Sequence, residues 1–194
     1  MELIAFAIAL AVSYQALKGY KLVRERTLLY IHFSFLLLGA GLFIDSMSSL
    51  VVLISRFHIG LLFLYAIGYT INFIAQFFAY SILVVAYMQQ SRNVPVQLAA
   101  TAVLSAMFFE RNAWTELILI FLLVYIAAHT AINYSMNKTT GTLLVFGAFA
   151  SLALAHFFFL MFVLFPIFFP FAHIAQLFGF LLLLAMLLRV NQPP

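Results

Sequence analysis

Apolar residues run through this chain in long unbroken stretches, and the polar positions fall mostly into short breaks between them. Runs of this kind predict helices that cross a bilayer, because a span needs about 20 largely apolar residues. Cutting at charges, prolines and polar clusters gives seven segments, roughly 2–20, 27–50, 60–88, 95–109, 113–135, 141–164 and 171–189. The fourth is short for a full crossing, so a six-span chain with a re-entrant 95–109 is the competing layout. Hydrocarbon offers backbone groups no water to bond to, so they must be satisfied within the segment. The expected fold class is therefore all-α, with residues 1–194 forming one integral membrane domain built as a seven-transmembrane-helix bundle.

One segment breaks the apolar pattern in an ordered way. "LYAIGYTINFIAQFFAY", Leu64 to Tyr80, carries Tyr65, Tyr69, Asn72, Gln76 and Tyr80 at spacings of four, three, four and four. At 100° per residue these five fall within about 80° of one another, a narrow polar stripe along a helix. An amide facing hydrocarbon without a partner costs several kcal/mol. The stripe is expected to turn inward, which makes the third helix a central one. It serves either as hydrogen-bonded glue between helices or as a path or pocket for a proton, water or a small ligand.

Composition agrees with lipid as the main solvent. The chain is 67% hydrophobic, 7% charged and has a mean hydropathy of +1.18, whereas soluble domains carry about a quarter charged residues. The net charge of +4 reads as membrane orientation, and no nucleic-acid partner is expected. With seven crossings, Lys18, Lys21, Arg24, Arg26, Arg92, Lys138 and Arg189 share one side, and only Arg56 and Arg111 face the other, seven against two of the nine basic residues. Basic residues mark the cytoplasmic side, so the N-terminus is expected outside and the C-terminus inside. If 95–109 did not cross, the bias would fall to six against three of the nine. There are no cysteines, which excludes disulfides, thiolate metal sites and cysteine nucleophiles. The first segment lacks a basic leader and a small-residue cleavage site, and is expected to be a retained helix.

The five histidines are the main candidates for cofactor chemistry. His32, His129, His156 and His173 fall inside four different segments, where ionisable residues mark function by default. At about 1.5 Å per residue, His32 lies roughly 8 Å from the inner edge, and His129 about 24 Å from the outer edge of a core of about 30 Å. These two share a level. His156 and His173 share another, near the outer side. Paired imidazoles on different helices are what axial ligation of haem b requires, so His32/His129 and His156/His173 are candidate haem ligands. His58, His156 and His173 are a candidate outer metal site. The alternative is hydrogen bonding to neighbours: Ser46 for His32, and the face of Tyr125 and Asn133 for His129. Asp45 and Glu116 are expected near the outer interface, in reach of Arg56 or Arg111. The turn "PIFFP" at 166–170 has no polar side chain and is expected to enter lipid or dock a partner. The basic loop Lys18–Arg26 suits anionic headgroups or an acidic partner.

The stretches "SYQALKGYKLVRERTLLYIHFSFLLLGAGLFID" (13–45) and "AQLFGFLLLLAMLLRV" (175–190) resemble the opening and closing helices of small archaeal polytopic membrane proteins. That resemblance implies an archaeal plasma membrane and transfers no functional residue. No phosphate loop, GxSxG elbow or HExxH motif is present. A Schiff-base retinal site is excluded, because Lys18, Lys21 and Lys138 all fall at the inner interface. The first expectation is a non-catalytic multi-pass module, a subunit of a membrane complex with a protein partner or a receptor-like sensor. The alternatives are a di-haem electron-transfer subunit, and a small-solute or ion transporter with its path along the third helix.

Overall fold

A computed structural model describes residues 1–54, 59–90 and 113–191. The predicted segment 95–109 and the side chains of Arg56, His58, Arg92, Glu110 and Arg111 lie outside the described residues. Within them the chain forms α1 (Glu2–Val23), α2 (Arg26–Ile54), α3 (Ile59–Gln90), α4 (Ala113–Asn137), α5 (Thr140–Phe162) and α6 (Phe168–Val190). All six are long and apolar enough to cross a membrane, as in a multi-pass membrane protein.

Helix ends follow local chemistry. Arg24 and Lys138 take left-handed backbone angles, with φ of 59° and 46°, and their N–H groups close onto Tyr20 and Tyr134 carbonyls at 2.8 Å. Such caps satisfy the last carbonyls of a helix. Thr139 caps α5, its hydroxyl accepting from the Thr142 N–H at 3.2 Å. α6 begins at Phe168, three residues before the predicted start. Pro170 is thus inside the first turn, where an N–H has no helical acceptor and its loss costs nothing.

Close packing runs from α1 through α2, α3, α4 and α5 to α6, and from α6 back to α1, so the described helices form a closed ring. Small residues permit the tight contacts. α1 buries Ala5, Ala9, Val12, Ser13, Ala16 and Gly19 along one stripe. A Cβ on Gly41 would lie 2.7 Å from the Ala75 Cβ and 3.2 Å from the Asn72 Cα, so only glycine lets α2 approach α3 so closely. α3 is the most enclosed helix, with 67% of its apolar window buried against at most 44% elsewhere. It occupies a place in the ring, and reaches across the middle through Tyr80 and Tyr87 to His156 and Phe149 of α5. Fully buried Tyr80, Phe35, Phe149, Phe180 and Leu83 fill the interior.

Side-chain pairs fix the direction of each helix. Ser46 meets Glu2, so α2 returns along α1. Asn191 meets Gln15, so α6 runs parallel to α1 and the two described chain ends lie at opposite ends of the bundle. Tyr69 meets Thr115 and Glu116, while Tyr87 packs on His129 at 5.5 Å. α3 and α4 are consecutive described helices, yet they run parallel, and Gln90 and Ala113 lie at opposite ends.

Candidate functional site

The polar stripe of α3 lies inside the ring. Asn72 is 6% and Gln76 8% exposed, and Tyr80 is fully buried. Each takes a named partner. The Asn72 amide donates to Asp45 Oδ2 at 2.9 Å, and Gln76 donates to Asn72 Oδ1 at 3.3 Å. The Tyr80 hydroxyl lies 3.2 Å from His156 Nε2, and His156 Nδ1 lies 2.8 Å from Glu116 Oε2. The Tyr69 hydroxyl reaches the other Glu116 oxygen at 3.4 Å. One proton assignment satisfies all of these atoms: Tyr80 O–H donates to Nε2, and Nδ1–H donates to a carboxylate. The stripe thereby joins four helices, with Asp45 from α2, Glu116 from α4 and His156 from α5.

These groups surround a cavity of about 60 Å³ at the end of the bundle that carries Met1. Such a volume holds a few water molecules. Every described helix contributes to its wall: Glu2 from α1, Asp45 from α2, Tyr65, Tyr69, Asn72 and Gln76 from α3, Glu116 from α4, His156 and Phe159 from α5, and Phe169, His173 and Gln176 from α6. Among the described residues, no Lys or Arg lines it. A second cavity, about 340 Å³, opens at the other end between Glu25, Thr27, Tyr87, Thr130, Asn133 and Thr142. Between them lies the buried aromatic and aliphatic core, about 15–20 Å thick from the helical rise separating the two linings.

The acids were expected to snorkel to the outer interface or to meet Arg56 or Arg111; both arginines lie outside the described residues, and Asp45 and Glu116 turn inward. Asp45 is 6% exposed, and the Glu116 side chain is 12% exposed beside His156. The reason is that buried amides and an imidazole nearby offer N–H donors, which stabilise a carboxylate away from water.

The histidine pairs do not come together as haem ligands would. His32 turns to α1, where Nδ1 lies 2.8 Å from the Ser13 hydroxyl and 3.0 Å from its carbonyl. The expected partner Ser46 instead donates to Glu2 at 3.3 Å. His129 sits on α4 against Tyr87, on a helix that does not adjoin α2. His156 has both ring nitrogens engaged. Phe159 contacts His156 and His173 at 5.9 and 5.1 Å, filling the space beside both rings. These residues do not fit a bis-histidine haem. His58 of the proposed metal set lies outside the described residues. Among the described residues, no three His, Asp or Glu side chains are placed to hold one metal ion.

Comparison with known protein families, curated proteins and solved structures finds no match. The site therefore stands on its own geometry. Sequence reasoning passed over Glu2 and Gln176 and placed Asp45 and Glu116 at the surface. The available signal was the one that picked out Asn72 and Gln76: an amide or acid amid apolar residues needs an interior partner.

Proposed function

We propose that this protein is a small-solute or ion transporter whose binding site is the polar cavity at the Met1 end. The observation that carries this reading is the arrangement of two cavities at opposite ends of one helical ring, separated by a buried core. A passive structural subunit has no use for buried acids and amides around an interior space, since each is costly in hydrocarbon. Alternating access requires such an occluded barrier with polar space on either side.

The membrane arrangement proposed with it is seven spans, N-terminus outside and C-terminus inside, in the plasma membrane. The parallel course of α3 and α4 supports an additional crossing between them, and the opposite placement of the two chain ends supports an odd number. The excess of Lys and Arg near the end opposite Met1 supports the orientation. The test is uptake into proteoliposomes of a panel of alkali cations, amines, amino acids and sugars. The expected result is saturable uptake of at least one compound above protein-free vesicles, lost in Asn72→Leu. Uptake of none, with ligand-dependent stabilisation retained, transfers the protein to the sensor class.

One observation favours a protein partner as well. Val163, Leu164, Phe165 and Ile167 project at 57–70% exposure from the turn beside the polar cavity. A partner docked there would regulate access to the site, and recovery of a stoichiometric companion on gentle solubilisation tests it.

A further inference from the structure

We propose that Glu116 is a proton-binding site: it takes up and gives back one proton through the cavity at the Met1 end, and that proton is the coupling ion of transport. The proton site stands on its own geometry, and its coupling to a solute rests on the transporter reading.

Glu116 and its partner His156 both line the cavity, and their side chains are 12% and 2% exposed. The carboxylate is held by an imidazole and a phenol. His156 Nδ1 lies 2.8 Å from Oε2, and the Tyr69 hydroxyl lies 3.4 Å from Oε1. Among the described residues, no Lys or Arg pairs with Glu116. An arginine clamp would fix the carboxylate in its charged form, whereas imidazoles and phenols can each donate or accept. A static role does not need the acid. Glutamine would accept from the same two donors and bring no charge into an interior surrounded by hydrocarbon, where charge is costly. Only the acid gains and loses a proton. The other titratable groups facing this cavity are Glu2, Asp45, Tyr65 and His173.

The hydrogen bonds accommodate both states. In the charged state Nδ1–H donates to Oε2, the Tyr69 O–H donates to Oε1, and the Tyr80 O–H holds Nε2 at 3.2 Å. A hydronium ion in the cavity transfers its proton to Oε1 and leaves as water. The new Oε1–H donates to the Tyr69 oxygen, and the Tyr69 hydrogen swings to Thr115 Oγ1, 3.5 Å away. The bonds from His156 to Oε2 and from Tyr80 to Nε2 are kept. The pair thus passes from one negative charge to none while each of these groups keeps a partner. A volume of about 60 Å³ holds the water that delivers the proton. Tyr69 belongs to α3 and Glu116 to α4, so the proton reverses a bond between two helices, and the change of charge reaches the packing of the ring.

The test is infrared difference spectroscopy of the full chain in detergent, stepped from alkaline to acidic buffer. The expected result is a carbonyl band of a protonated carboxyl that grows on acidification, shifts when the glutamate carboxyls carry carbon-13, and is missing in Glu116→Gln. The band persists in Asp45→Asn and Glu2→Gln, and it moves in Tyr69→Phe, which removes the acceptor of the new O–H. Melting curves identify any variant that fails to fold; if Glu116→Gln is one, the isotope shift and Tyr69→Phe carry the assignment. A band unchanged in folded Glu116→Gln, a band indifferent to Tyr69→Phe, or no such band in the unaltered chain overturns the site. Proteoliposomes with the membrane potential held at zero test the coupling. A gradient of about one pH unit, in one of its two directions, is expected to accumulate the transported compound about tenfold over protein-free vesicles at one proton per solute. Accumulation that ignores the gradient overturns the coupling even where Glu116 titrates. A titrating Glu116 in a protein that moves nothing leaves the proton site standing and removes the transporter reading. Uptake without a Glu116 band and without gradient dependence does the reverse.

Discussion

At the residue scale, the unusual feature is that the polar atoms of the interior are shared. His156 binds Tyr80 through one nitrogen and Glu116 through the other, and Asn72 binds both Asp45 and Gln76. Removing one member therefore takes a hydrogen bond from another. Tyr80→Phe deletes only the bond to His156 and is expected to cost about 0.6–1.7 kcal/mol, the range found for hydrogen bonds between membrane helices. Asn72→Leu removes hydrogen bonds to both the Asp45 carboxylate and the Gln76 amide, and is expected to cost about 1–3 kcal/mol. Melting temperatures in detergent order the two, Asn72→Leu falling lower; the opposite order refutes the shared network. Legibility differed residue by residue here. The inward turn of Asn72 and Gln76 followed from spacing and the cost of bare amides in oil. The partners of Asp45 and Glu116 did not, because a carboxylate near a helix end is equally consistent with snorkelling, and only the neighbouring helices decide.

At the scale of the element, glycines set how near two helices come. Gly41 faces Ala75 and the backbone of Asn72 with no space for a methyl group, whereas a Cβ at Gly147 meets only the Leu182 Cδ1 at 3.3 Å. Alanine gains up to about 1 kcal/mol over glycine in a helix interior. Gly147→Ala is thus expected to be neutral or stabilising, because a leucine tip yields. Gly41→Ala is expected to destabilise by about 1–3 kcal/mol despite the same propensity gain, since Ala75 and the α3 backbone do not move independently. The same substitution widens the α2–α3 gap at the Asn72–Asp45 bond. Equal melting temperatures for the two alanine variants refute the close approach. Element boundaries were legible within a few residues from hydropathy alone. The start of α6 was misjudged because Pro170 was taken as a barrier, although the first turn of a helix tolerates it.

At the scale of the molecule, parallel α3 and α4 carry the largest topological consequence. Their direction is read from two side-chain meetings at different levels, Tyr69 with Glu116 and Tyr87 with His129. The chain has no cysteine, so single cysteines report sidedness cleanly. Gln89→Cys and Trp114→Cys in sealed vesicles are expected to react with an impermeant maleimide from opposite faces. Labelling of both from one face refutes the seven-span topology.

What the sequence determined by itself was the solvent and the element type. Uncharged apolar runs of this length are compatible only with helices in lipid, and the one polar stripe had to find the interior. The order of helices around the ring, the turning of Asp45 and Glu116 towards His156 and Asn72, and the separation of the histidine pairs were decided by tertiary structure. The physical reason is that a helix fixes which residues share its own face, while the residue that meets them comes from another helix whose position depends on packing of the whole bundle. A cavity is a property of six surfaces at once, and no single stretch of the chain encodes it.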